Sequence, residues 1–161
     1  MYTIYLKEYT KDTLEYTKQT ILDLMSQAYH LSFSDLKKDS KGKPLWFPYY
    51  LSITHSYKHH YGCVGIAIST ENIGIDIEVK DQLRPLSLER KICFNQECIT
   101  NNDELLTLWT KKEALYKWDN TLYPFNQVDT KKYDVKTTMI NIQGHEYFLS
   151  YTGEACVEVL S

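Results

Sequence analysis

The sequence predicts an α+β fold with mainly antiparallel sheet, on three observations. Helical spacing of apolar residues is concentrated in two long segments, shorter segments alternate or run apolar at strand length, and turn residues separate the latter. Residues 2–6 read as a short strand. Leu14, Thr17, Ile21, Leu24, Met25 and Ala28 then recur at helical spacing and predict an amphipathic helix. Residues 34–44 are polar and carry Gly42-Lys43-Pro44, so a loop is expected there. Residues 46–53 and 63–69 read as strands around a polar, His-rich connection, and residues 72–79 as the next strand. Residues 86–94 look helical, with Asn95 positioned to cap a further turn; Asn102 or Asp103 would cap a helix over 104–118. That helix carries Leu105, Leu108, Trp109, Lys112, Leu115 and Tyr116 as its mostly apolar stripe. After Pro124, residues 133–140, 146–151 and 155–160 read as strands, with turns at Gln143-Gly144 and Thr152-Gly153.

Composition narrows the function classes. A chain of 161 residues with 43% hydrophobic and 14% aromatic residues can bury a core of its own. A net charge of -3 and a pI near 5.9 give no general field for a nucleic-acid backbone, so no nucleic-acid partner is expected and an anionic ligand needs a local site. Lysines gather at Lys37, Lys38, Lys41 and Lys43, at Lys111, Lys112 and Lys117, and at Lys131, Lys132 and Lys136, clusters that solvated surface explains when each is taken alone. Cys63, Cys93, Cys98 and Cys156 form no C-x-x-C pair, and the first residues lack a basic stretch leading into an apolar run. Both features predict a reduced, cytoplasmic protein. No stretch approaches the roughly 18 apolar residues of a membrane helix, so no membrane partner is expected.

Three segments carry candidate chemistry. In Asn72-Ile73-Gly74-Ile75-Asp76-Ile77-Glu78-Val79, strand alternation puts the aliphatic residues on one face and Gly74, Asp76 and Glu78 on the other. A strand with a wet outer face accounts for that pattern. The adjacent like charges repel, however, and a Mg²⁺ ion, which takes carboxylates together with substrate phosphates, relieves the repulsion. Gly74 is expected to admit a ligand close to the backbone. In Trp109-Thr110-Lys111-Lys112-Glu113-Ala114-Leu115-Tyr116-Lys117, Glu113 and Lys117 stand one helical turn apart, a spacing that a surface ion pair also satisfies. In Ser52-Ile53-Thr54-His55-Ser56, a strand is expected to run into a polar turn whose hydroxyls and imidazole can meet a phosphate.

Together these segments resemble the 4'-phosphopantetheinyl transferase family, whose signatures are a G-I-D-I-E strand, a W-x-x-K-E-A-x-x-K helix and an upstream S-x-[ST]-H-S segment. All occur in the family's order, with Gly42-Lys43-Pro44 where a G-K-P is expected. The resemblance covers roughly residues 41–117. It implies transfer of the phosphopantetheine arm of coenzyme A to a serine of an apo acyl or peptidyl carrier protein, releasing adenosine 3',5'-bisphosphate. It further implies that Asp76, Glu78 and Glu113 bind Mg²⁺ at the pyrophosphate, that Lys112 and Lys117 neutralise phosphate charge, and that Lys43, Ser52 and His55 contact coenzyme A. By the same resemblance Glu113, with Asp76 and Lys117 in the catalytic set, would take the serine proton directly or through a metal-bound water.

The chain departs from the family pattern in several places. Broad-range members usually carry arginines before the first motif, whereas this chain has none until Arg84; Lys37, Lys38 and Lys41 are candidate substitutes. In place of F-[ST]-x-x-E, the chain has Phe94-Asn95-Gln96-Glu97-Cys98, so either Glu97 serves after a one-residue shift or the role is missing. The carboxyl-terminal region is short. Residues 1–73 precede the G-I-D strand, which favours the broad-range arrangement over the small trimeric one: a single transferase domain of two similar α+β lobes, about 1–70 and 71–161, with the active site between them, and a monomer. Two other readings compete: a degenerate coenzyme A-binding protein without turnover, and a metal-dependent phosphohydrolase or nuclease using the same carboxylates. A zinc site at His55, His59 and His60 is disfavoured because no thiolate lies nearby.

Overall fold

Antiparallel pairing dominates because most successive strands are joined by turns too short for a crossover. The computed structural model describes residues 1–10, 14–30, 37–38, 43–46, 48–95, 97 and 99–161. In chain order the first elements are β1 (Tyr2–Tyr9), α1 (Leu14–Tyr29), β2 (Lys37–Lys38), β3 (Pro44–Trp46), β4 (Tyr49–Lys58), β5 (Tyr61–Ser69) and β6 (Ile75–Val79). They are followed by α2 (Glu89–Ile92), α3 (Asn102–Trp118), β7 (Val135–Ile142), β8 (His145–Thr152) and β9 (Ala155–Val159). The fold is α+β, in two compact units: Met1–Ile73 with Glu154–Ser161, and Gly74–Gly153. The last strand thus belongs to the first unit rather than to a lobe running from 71 to 161. Gly42, Lys41 and Cys98, which carry parts of the motifs above, lie outside the described residues, as does most of the 34–44 loop.

The first unit is one sheet in the order β2-β3-β4-β5-β1-β9, antiparallel except where β1 pairs with β9. Strand β5 sits inside this sheet and is buried along Gly62–Ala67, which explains its continuous apolar run. Helix α1 covers one face, setting Leu24 and Met25 against Tyr9, Leu51, Val64 and Ile66. Fully burying each such aliphatic side chain contributes about 1.5–3 kcal/mol. Tyr29 closes the helix by donating to Thr3 O and accepting from Ile68 N, both at 3.1 Å. The β4–β5 hairpin turns at His59 and His60, with His59 in the left-handed region at φ 55.

The second unit is a three-stranded antiparallel sheet, β6-β8-β7, with α3 packed on it. Gln143 and Gly144, at φ 51 and 90, form the tight β7–β8 turn expected from the sequence. The cap of α3 differs from the expectation: Asn101, not Asn102 or Asp103, accepts from Glu104 N at 2.9 Å. Asn102 is used elsewhere, accepting from Arg84 N at 3.2 Å and donating to Gln82 O at 3.1 Å, so it anchors the loop after β6. Residues 86–94 hold only a 3-10 turn, Leu86–Leu88, and the one-turn α2. Asn95 stands in the left-handed region at φ 47, and Gln96, which would begin the turn it was expected to cap, lies outside the described residues. Among the described residues no helix is long and apolar enough to cross a membrane.

Candidate functional site

Asp76 and Glu78 occupy alternate positions of β6 and therefore leave the same face of the strand. That face is covered, not wet. Both residues are only 6% exposed because α3 lies over them. A Cβ on Gly74 would stand 1.9 Å from Ala114 O and 2.6 Å from Trp118 N, so glycine is what lets the helix backbone rest on the strand. The space expected for a ligand at Gly74 is filled by α3.

The underside of the helix is polar where it meets the polar face of the sheet. Thr110 Oγ1 and Ser150 Oγ lie 2.8 Å apart, and Thr137 Oγ1 lies 2.7 Å from Ser150 Oγ on the other side. Ser150 is the register partner of Asp76, so these hydroxyls and the carboxylate share one face. Thr110, Glu113 and Lys117 follow one another at i, i+3 and i+7 along α3. Lys117 Nζ donates to Asp76 Oδ1 at 2.8 Å. Arg84 Nη2 donates to Glu78 Oε1, while the guanidinium carbon stands 5.2 Å from the centre of the Trp109 ring. Burial pushes the Glu113 carboxyl up to about 7; the charge of Asp76 pushes the same way, Lys117 opposes it, Glu78 adds to it and Arg84 opposes it. Asp76, Glu78 and Glu113 thus form one electrostatic group with Lys117 and Arg84.

The donor chemistry fits a hard divalent cation, since three carboxylates offer oxygen to one region. Among the described residues, however, no three His, Cys, Asp or Glu are gathered as they stand to hold a metal ion. Asp76 and Glu78 are instead paired with the Lys117 ammonium and the Arg84 guanidinium.

Glu113 also lines a cleft of about 620 Å³ with Trp109, Tyr116, Tyr123 and Phe125, and with Arg90 and Lys91. The aromatic rings brace one another, Tyr123 and Phe125 with centroids 5.5 Å apart and Trp109 and Phe125 at 5.8 Å. A larger cleft of about 860 Å³ lies at the amino end of α3; Glu97 lines it, but none of the residues expected to hold metal or coenzyme A does.

Lys112 requires a correction. It was expected to neutralise phosphate, yet it is 1% exposed and its ammonium is spent inside the fold. Lys112 Nζ donates to Ile92 O, to Phe125 O at 3.0 Å, to Val128 O at 2.9 Å and to Glu97 Oε2 at 2.7 Å. The side chain fastens α2 and the 125–128 segment to α3. Glu97 is the carboxylate that completes this node, also accepting from Phe94 N at 2.7 Å. The structure therefore gives Glu97 a defined place one residue before Cys98.

The S-x-[ST]-H-S residues also differ from their expected setting. They lie inside β4, not in a turn, and the offset of three puts Ser52 and His55 on opposite faces: Ser52 is 3% exposed and His55 is exposed. One phosphate on one face of β4 cannot meet both. Lys43 Nζ donates to Asn72 Oδ1 at 2.8 Å. Lys43, Ser52 and His55 belong to the first unit, and Asp76, Glu78, Lys112, Glu113 and Lys117 to the second.

Arg84, Thr110 and Ser150 are site residues that sequence reasoning missed. The Thr110-Glu113-Lys117 spacing was a legible signal; Arg84 and Ser150 carried none, because their relation to β6 is tertiary. No protein-family model matches the chain, and a search of curated proteins returns no relative.

Proposed function

We propose that this chain is a Mg²⁺-dependent 4'-phosphopantetheinyl transferase that moves the phosphopantetheine arm of coenzyme A to a serine of an apo acyl or peptidyl carrier protein. The observation that carries the reading is the grouping of buried Asp76 and Glu78, on one face of β6, with Glu113, which lines an accessible cleft. Within that group Glu113 is the carboxylate that lines the cleft, the position from which a proton can be accepted. The G-I-D-I-E and W-x-x-K-E-A-x-x-K resemblance supports the same assignment.

In this reading Asp76, Glu78 and Glu113 would hold the metal, which would supply positive charge to offset the negative charge of the reacting phosphates. Glu113 accepts the proton from the serine hydroxyl as its Oγ bonds to the phosphorus nearer the pantetheine. The bond from that phosphorus to the bridging oxygen breaks, and adenosine 3',5'-bisphosphate leaves with the electron pair. Lys117, released from Asp76, offsets negative charge on the phosphoryl oxygens.

Asp76→Ala tests the site. It removes a metal donor from a buried position, so adenosine 3',5'-bisphosphate release from coenzyme A in the presence of apo carrier protein should stop while the circular dichroism spectrum is kept. Full activity of Asp76→Ala at ordinary Mg²⁺ contradicts the assignment. Stoichiometric coenzyme A binding by the wild type with no release, against a broad panel of carriers, supports the degenerate binding protein instead.

A further inference from the structure

Arg84 is not part of the motif set, yet it is built into the carboxylate group as firmly as Lys117. Its backbone is fixed by Asn102, which accepts from Arg84 N at 3.2 Å and also donates to Gln82 O. Its guanidinium is 5.2 Å from the Trp109 ring centre, and Trp109 lines the cleft that Glu113 enters. Only Nη2 is engaged by Glu78, whereas Nε is buried with no hydrogen-bond partner among the described residues. A guanidinium has five N–H donors in a planar fork, a shape that matches two oxygens of a phosphate better than one oxygen of a carboxylate. The side chain is 27% exposed, so a ligand can reach it.

Charge counting shows what must happen when a divalent cation arrives. Asp76, Glu78 and Glu113 face Lys117 and Arg84, and a doubly charged cation on the carboxylates leaves both side-chain cations without their anions. Their repulsion opposes metal binding unless a second anion enters with the metal. A phosphoryl ligand is such an anion, and the Arg84 guanidinium, held over the Trp109 ring with donors that Glu78 does not use, is placed to meet it.

We infer that Arg84 is a phosphate-holding residue that changes partner, bound to Glu78 in the resting protein and to a phosphoryl oxygen once a divalent cation has taken Glu78. Metal and phosphoryl ligand consequently bind with positive coupling. This inference rests on the proposed role of Asp76, Glu78 and Glu113 as cation donors.

The test counts bound Mn²⁺ by electron paramagnetic resonance, for protein alone, with inorganic pyrophosphate and with coenzyme A, each against a protein-free blank that removes complexation in solution. In the wild type each ligand should tighten Mn²⁺ binding, by a factor in the usual range of roughly 5- to 150-fold. Arg84→Met keeps a flexible apolar side chain against Trp109 and removes the competing charge. It should bind Mn²⁺ alone at least as tightly as the wild type, and the ligand should tighten that binding much less. Arg84→Lys, which keeps the charge, should restore part of the coupling. An Arg84→Met protein with unchanged coupling, or with weaker Mn²⁺ binding and no loss of ligand affinity, overturns the inference and makes Arg84 a structural partner of Glu78. If wild type and Asp76→Asn bind Mn²⁺ equally, the cation-donor reading itself fails, and the inference with it. Coupling with pyrophosphate but not with coenzyme A supports Arg84's role while removing coenzyme A as the ligand.

Discussion

Glu113 costs the metal-free protein stability at neutral pH, because its carboxyl is raised from 4.5 to about 7 by burial and by Asp76. The sign follows from proton binding. The folded state holds the proton more tightly than the unfolded state, so the favourable contribution is complete below pH 4.5 and is lost as pH rises through about 7. Glu113→Gln removes that loss. In EDTA, urea unfolding should find Glu113→Gln more stable than wild type at pH 8, by on the order of 1–3 kcal/mol, with the gap closing toward pH 4.5. The same variant should lose about 10²- to 10⁴-fold in transfer rate, and saturating Mg²⁺ should not restore it. Equal stability of the two proteins at pH 8 would remove the elevated carboxyl. At this scale the sequence showed that Asp76 and Glu78 share a face, since strand alternation is local. It could not show that the face is buried, because only the approach of α3 over Gly74 decides that.

Helix α3 is the element that organises the second unit. Its amino end is capped by Asn101, its middle rests on Gly74 and Ser150, and Lys112 fastens α2 and the 125–128 segment to it. Lys112 and Lys117 look alike in the sequence, five residues apart on one helix, but that offset turns them to different sides. Periodicity placed Lys112 correctly on the buried stripe, and the family motif then suggested a ligand for it; the surrounding carbonyls supply the partners instead. Lys112→Met should therefore act on stability. It strands the largely buried Glu97 carboxylate and several carbonyls, and breaking a buried pair in this way costs about 3–5 kcal/mol. Adding Glu97→Gln should recover part of the loss. A Lys112→Met protein with unchanged unfolding midpoint and lost phosphate affinity would return Lys112 to the ligand set. The Ser52-to-Ser56 segment teaches the same lesson for strands: β4 runs through to Lys58, and only the pairing with β5 as far as Tyr61 shows that no turn interrupts it.

At the scale of the whole molecule, the chain returns to its first unit after completing the second, and β9 pairs in parallel with β1. A sequence-local reading assigns residues 155–160 to the second lobe because they directly follow the β7–β8 strands. The parallel partner is more than a hundred residues away and left no local signal. Removing residues 154–161 strips β1 of that neighbour. Hydrogen exchange should then accelerate in Tyr2–Leu6 while β6 and β8 keep their protection; faster exchange in β6 and β8 with β1 unchanged contradicts the division into units. The α+β class was legible because it depends on periodicity and turns, whereas the catalytic reading depends on the local motifs and the carboxylate group in the second unit. Its most direct test is the intact mass of apo carrier proteins incubated with this chain, coenzyme A and Mg²⁺. The account predicts a gain of one phosphopantetheine arm on the carrier serine, abolished by EDTA and by Asp76→Ala. Unchanged carrier mass across acyl and peptidyl carriers, with coenzyme A and Mg²⁺ bound, would contradict it.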